Sequence, residues 1–217
     1  MKIEIISVSA MSEGEEMLLT LAISDDNGHK EKRKLLIFTN QYFELGIKKG
    51  DALSQDAFDA LEKCSRECMA IRKGIDLLSY SASSKRRLVQ RLRNKGIDHE
   101  NAVSAASHLE KIGVINEGVD VEFQVDSCLR KLWGKKRIFN ELIAKGYERE
   151  HIANALENID KEQMMENCAM LLRKKHRSIP NDPSVRQKII ASLVRYGYTF
   201  DEIKYAFETV INERKTE

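Results

Sequence analysis

A chain of 217 residues, 42% hydrophobic and 32% charged, has room for one sizeable domain or two small ones, and 6% aromatics with two prolines argue against an all-β sandwich. The net charge of +2 hides an asymmetry: residues 1–63 carry 8 Lys+Arg against 12 Asp+Glu, and residues 64–217 carry 28 against 22. The longest apolar-rich run, Met17 to Ile23, is too short for a membrane span or a signal segment, so a cytoplasmic protein is expected, and the basic C-terminal part points to an acidic partner, protein or nucleic acid.

In chain order, Lys2–Ser9, Met17–Ile23 and Lys34–Phe38 read as strands, the last two flanking Asp25-Asp26-Asn27-Gly28, and Asn-Gly between apolar runs is a hairpin signal. A small three-stranded antiparallel sheet is therefore expected within residues 1–53, resting on something helical because it is marginal alone. Asn40–Leu45 reads as a short helix before Gly46, Lys48-Lys49-Gly50-Asp51 as a turn, and Ser54 as a cap. Gln55 to about Tyr80 is helical, with Gly74 leaving open whether it is one helix or two. Ser81–Ser84 is a cap-rich break, Asp98 caps a helix that stops at Gly113, Val114–Gly118 is a connector, and Val119–Leu132 is helical. From Trp133 to Leu156 the chain gives a basic-fronted helix, a stop at Gly146 and a second helix. Asp160 with Gln163 starts a helix to about His176, Asp182-Pro183 starts another, and Thr199-x-x-Glu202 is a capping box for a last helix ending near Asn212.

The Trp133–Leu156 unit occurs three times. Its glycine recurs at Gly96, Gly146 and Gly197; four residues earlier stands Leu92, Leu142 or Leu193, and eight earlier Leu88, Ile138 or Ile189. Ile97, Tyr147 or Tyr198 follows each glycine directly, and nine positions on there is alanine every time, at Ala105, Ala155 and Ala206. This register defines an internal repeat, each copy having a lead helix, a basic-fronted helix and a post-glycine helix. The expected fold is mainly α: three tandem three-helix repeats in an elongated, curved array (54–113, 114–159 and 160–217) behind a small β region at 1–53.

No catalytic constellation is present. Gly134-Lys135 lacks the following Ser or Thr and the upstream glycine of a phosphate loop, and the five histidines show no metalloprotease spacing. Cys64, Cys68, Cys128 and Cys168 do not complete a zinc set and read as buried or free thiols, so neither metal nor cofactor is expected. Trp133 is expected to wedge between helices of the middle repeat, and Tyr147 and Tyr198 to pack at the glycine corners. The informative feature is basic: Lys85-Arg86-Arg87 and Lys135-Lys136-Arg137 fill the first turn of the second helix, with Arg186 and Lys188 in the third copy. Cations there oppose the helix macrodipole, so selection for helix stability alone would not place them. Arg173-Lys174-Lys175-His176-Arg177 is a further basic run at a helix end, where the dipole favours it. The post-glycine helices open with acids, Asp98-His99-Glu100 and Glu148-Arg149-Glu150, which argues against a helix-turn-helix reading of the major groove. Backbone-only binding of nucleic acid stays open.

Gly134-Lys135-Lys136-Arg137-Ile138…Glu141-Leu142…Lys145-Gly146-Tyr147 resembles the middle motif of the RecX regulatory proteins. Ser84…Leu88…Leu92…Lys95-Gly96 is similar to their first motif, Leu109…Gly113-Val114-Ile115-Asn116-Glu117 to the joining segment, and Gly46-Ile47-Lys48-Lys49-Gly50-Asp51 extends the likeness over nearly the whole chain. The resemblance implies a non-enzymatic modulator of RecA in DNA repair, recombination and the SOS response. It would lie as a monomer in the groove of the RecA–single-stranded DNA filament and restrain growth, ATPase, strand exchange and co-protease activity. The expected contacts are Lys85, Arg86, Arg87, Lys135, Lys136 and Arg137, with Arg91, Lys131, Arg173, Lys174 and Lys175 behind them. A DNA-binding protein acting through the same basic face without the recombinase is the second reading.

Overall fold

Ile3 and Ile5, Leu19 and Leu21, and Leu35 and Ile37 are six buried residues at period two, the pattern of a sheet with one covered face. In the computed structural model, which describes residues 2–25, 29–176, 179 and 182–216, they lie on β1 (Lys2–Met11), β2 (Glu16–Ser24) and β3 (Lys30–Phe38). A fourth strand, β4 (Ala52–Leu53), pairs with β1, so the sheet is four-stranded and antiparallel in the order β3-β2-β1-β4 rather than three-stranded. Two residues carry no period, which is why β4 leaves no trace in the apolar pattern. The expected Asn-Gly turn falls on residues 26–28, outside the described residues.

After α1 (Thr39–Leu45) comes α2 (Gln55–Tyr80), capped by Ser54, whose Oγ accepts from Ala57 N at 3.2 Å. It runs unbroken through Gly74. The remaining helices are α3 (Lys85–Asn94), α4 (His99–Lys111), α5 (Glu117–Leu129), α6 (Lys135–Ala144), α7 (Arg149–Glu157), α8 (Lys161–Lys175), α9 (Pro183–Arg195) and α10 (Phe200–Thr216). They form three tandem three-helix repeats, α2–α4, α5–α7 and α8–α10. Helix α5 starts earlier than its apolar pattern suggests, because Asn116 Oδ1 accepts from Val119 N at 3.2 Å and draws Gly118 into the first turn. It also stops sooner, at Leu129, with Leu132 in the left-handed region at φ 56°. Asp160 precedes α8 without a capping hydrogen bond from its side chain. At α10 the capping box is complete: Thr199 N donates to Glu202 Oε2 at 2.7 Å and Glu202 N to Thr199 Oγ1 at 3.3 Å. That helix continues past Asn212 to Thr216.

The chain divides into two compact units, Met1–Ser81 with Leu88–Ile115, and Ala82–Arg87 with Asn116–Glu217. In the first, Phe58 and Leu61 of α2 share a core with the sheet, so the sheet does rest on a helix. Arg33 pairs with Glu62, and Arg72 with the buried Glu16 at 3.1 Å, fixing α2 to β3 and β2. A second cluster joins Ile71, Leu88, Leu92, Ala102, Ala105 and Leu109. A Cβ on Gly74 would come 2.6 Å from Leu109 Cδ1, so a larger residue here would make that buried side chain of α4 shift. In the second unit one continuous core runs from Val121, Val125 and Cys128 through Ile138, Leu142, Ile152 and Met164 to Leu193, Ala206 and Val210. Each fully buried leucine or isoleucine contributes about 1.5–3 kcal/mol to that core. No helix among the described residues is long and apolar enough to cross a membrane.

Candidate partner-binding site

Helix ends leave backbone groups without partners inside the helix, and in the second unit two such ends meet twice. Gly134 N, at the start of α6, donates to Tyr196 O at 2.7 Å, and Lys136 N donates to Gly197 O at 3.3 Å, so the N-terminus of α6 is seated on the carbonyls ending α9. Two glycines make the approach possible. A Cβ on Gly134 would lie 2.3 Å from Gly197 C, and one on Gly197 (φ 95°) would lie 2.4 Å from Arg137 N. The equivalent joint uses Ser84, twelve residues before its own glycine as Gly134 is. Its Oγ donates to Lys145 O at 2.8 Å and accepts from Arg87 N at 3.2 Å, so one hydroxyl caps α3 and satisfies the end of α6. The buried Glu117 takes two further orphan donors, Lys85 N at 2.7 Å and Glu148 N at 3.4 Å.

These joints explain the cations that oppose their own helix dipole. The first turns of α3 and α6 face the carbonyl-rich, negative end of another helix, which offsets the repulsion. The third copy confirms the rule by exception. Among the described residues no backbone hydrogen bond seats the start of α9 on another helix end, and it starts with an acid: Asp182 Oδ1 accepts from Ser184 N at 2.8 Å, Pro183 is first, and the cations Arg186 and Lys188 come later. At the other end, no atom lies within 4 Å of a Cβ on Gly96, and α3 carries Arg91 and Arg93 in its own last turn.

The basic residues divide by what they touch. Arg91 donates to Leu77 O at 3.0 Å, Lys135 Nζ to Ile159 O at 2.8 Å, and Arg173 clamps Glu166 and Glu213 at 2.7 and 2.6 Å. These three side chains are engaged inside the fold. Arg86, Arg87, Lys136 and Lys174 are exposed, the stem of Arg86 lying over Gly146. Lys85 is half-buried, its backbone amide on Glu117. Arg177 lies outside the described residues.

Lys131, Arg137 and Lys175 belong to an arrangement that the sequence did not announce. The Arg137 guanidinium lies 4.0 Å from the centre of the Trp133 ring and 4.9 Å from that of Tyr196, while Lys131 stands 5.3 Å from Trp133 and Lys175 3.9 Å from Tyr196. Such contacts are worth about 0.5–1 kcal/mol each at exposed sites. Trp133 is therefore at the joint of the second and third repeats, under cations, rather than wedged within the middle repeat. The left-handed Leu132, whose carbonyl accepts from Tyr198 Oη at 3.0 Å, turns the chain to put it there. Lys175 and Arg137 beside the Tyr196 phenol hold it below its ordinary value by favouring the phenolate. Next to the ladder a cleft of about 370 Å³ is lined by Lys136, Arg137, Asn140, Glu141, Arg195 and Gly197. Among the described residues no carboxylate lies within ion-pair distance of Lys131, Lys136, Arg137, Lys175 or Arg195.

Tyr147 and Tyr198 pack at the glycine corners as expected, both buried, and burial raises the pKa of each, Tyr147 to about 12. The four cysteines are free thiols, and burial pushes Cys68 and Cys168 up to about 12. Among the described residues no group of three or more His, Cys, Asp or Glu could hold a metal ion.

Comparison with known proteins converges on one family. Residues 161–207 match the family model described as RecX, third three-helix domain. The regulatory protein RecX of Clostridioides difficile (strain 630) is 23% identical over 185 residues, 84% of this chain and 87% of that protein. That of Amycolatopsis mediterranei (strain U-32) is 30% identical over 135 residues, 57% of this chain and 72% of its own length. A crystal structure of a regulatory protein RecX superposes with a TM-score of 0.76 at 18% identity, covering 95% of this chain and 99% of the other, which shows a shared fold.

Proposed function

Since this chain belongs to the RecX family of regulatory proteins, we propose that it works by binding the RecA–single-stranded DNA filament in its groove and restraining it, with no reaction of its own. The observation that carries this reading is the recurrence of cations at seated helix starts, Lys85-Arg86-Arg87 on α3 and Lys135-Lys136-Arg137 on α6. A repeated cationic feature suits a polymer that repeats its own acidic surface, and several modest contacts on successive protomers act together through effective concentration. The inhibition of filament growth, ATPase, strand exchange and co-protease activity follows from occupying that groove.

The test is binding to nucleotide-bound recombinase filaments against naked DNA at matched salt. Tighter binding to filaments supports the reading. Tighter binding to naked DNA, with a steep salt slope, supports the second one, phosphate binding without the recombinase. Charge reversal belongs at Arg86, Arg87 and Lys136, which are exposed, and not at Lys135, whose ammonium is tied to Ile159 O. Reversal is expected to weaken filament inhibition with helicity intact; unchanged inhibition removes those residues from the contact set.

A further inference from the structure

The two joints differ in a way that the scaffold does not require. At the first, the positions of Trp133 and Tyr196 are held by Ser83 and Lys145, and the helix ends still meet. The rings are thus not needed for helix ends to meet. What they do is hold cations: Lys131 and Arg137 over Trp133, Arg137 and Lys175 over Tyr196. With Lys136 and Arg195 on the adjoining cleft, which Glu141 also lines, five cations stand together, and among the described residues no carboxylate lies in pairing distance of them. Like charges so placed repel one another, and a bound anion relieves the repulsion.

We propose that this ladder and its cleft form a preorganised site for the clustered carboxylates of an acidic protein segment, with Arg137 as the residue that sets specificity. The inference deepens the reading above and rests on it only for the identity of the partner. Arg137 has its guanidinium carbon 4.0 and 4.9 Å from two ring centres, and a planar guanidinium fork so restrained loses little freedom when it takes a carboxylate through two parallel hydrogen bonds. Single-stranded nucleic acid binds differently, by stacking bases on open aromatic faces. Here each ring already has two cations over it, so base stacking is disfavoured.

Trp133 is the only tryptophan and sits under Arg137, so its emission reports occupancy directly. The full-length protein is titrated with a hexaglutamate peptide and, separately, with a dT oligonucleotide of equal charge at the same ionic strength. The wild type is expected to prefer the peptide, with a shift in Trp133 emission. Arg137→Lys keeps the charge and loses the fork, and peptide binding should weaken about tenfold while oligonucleotide binding holds. Tyr196→Leu, which removes one ring, should act in the same direction, and far-UV circular dichroism checks that both variants fold. No peptide binding by the wild type, preference for the oligonucleotide, or equal weakening of both ligands in Arg137→Lys would overturn the proposal. A parallel titration with recombinase filaments keeps the two readings apart: peptide binding that depends on Arg137 beside filament binding that is absent removes the recombinase and leaves the carboxylate site.

Discussion

Three glycine-to-alanine substitutions separate backbone strain from contact at the joints between repeats. Gly96 has φ 87° and nothing within 4 Å of a built Cβ, so Gly96→Ala meets the left-handed penalty alone, about 1–2 kcal/mol. Gly134 has an ordinary φ of −78°, but its Cβ would lie 2.3 Å from Gly197 C and O and 2.6 Å from Tyr198 N. Those are backbone atoms of another helix end and cannot rotate away, so Gly134→Ala is expected to cost about 2–3 kcal/mol as overpacking. Gly197→Ala combines both, with φ 95° and Arg137 N at 2.4 Å, for about 3–5 kcal/mol. Urea unfolding followed by far-UV circular dichroism and Trp133 emission gives all three. Equal losses for Gly96→Ala and Gly197→Ala would refute the claim that close contact at the second joint, beyond the turn itself, holds the third repeat in place.

Glu117→Ala should cost about 2 kcal/mol, since Lys85 N and Glu148 N both lose a buried acceptor; a loss near zero in the same urea assay would mean water replaces the carboxylate. Arg173→Ala should lower stability by no more than about 1 kcal/mol, the pair being a third or more exposed, and leave filament binding intact, because Arg173 is spent on Glu166 and Glu213; a binding loss at unchanged stability would return it to the contact set. Asp98 is held below the ordinary carboxylate value by hydrogen bonds from the Asn101 side chain and backbone, and Asp182 by those from Ser184. A carboxyl depressed in the folded state stabilises above its unfolded value, near 3.9, and loses that as pH falls through the lower folded one. The double variant Asp98→Asn/Asp182→Asn should therefore flatten the stability profile below about pH 4; an unchanged acid limb would assign it to other groups.

The repeat was legible because its markers are backbone demands. A left-handed corner selects glycine, and the buried positions four and eight residues earlier select leucine or isoleucine, so three copies show one register at Gly96, Gly146 and Gly197. The caps were legible for the same local reason at Ser54, Asp98, Asp182 and Thr199. Side-chain roles set by tertiary neighbours were not. Lys135 reads like Lys136, yet one lies on Ile159 O and the other in solvent. Nothing local to Arg173 points to Glu213, forty residues on. The ladder brings together Trp133, Arg137, Lys175 and Tyr196 from three segments; its trace in sequence is an aromatic at each of the two positions where the first joint has Ser83 and Lys145.

The head-to-tail seating of helix starts on glycine corners also bears on how such a chain can lengthen. Because the middle brick both receives a neighbour at Gly146 and inserts into another at Gly134, a duplicate spliced beside it would find matching surfaces on either side. One appended after the third would not, since α9 opens with Asp182 and Pro183 where a glycine or serine followed by cations is needed. The joint geometry thus accommodates a further copy beside the middle repeat but not directly after the third.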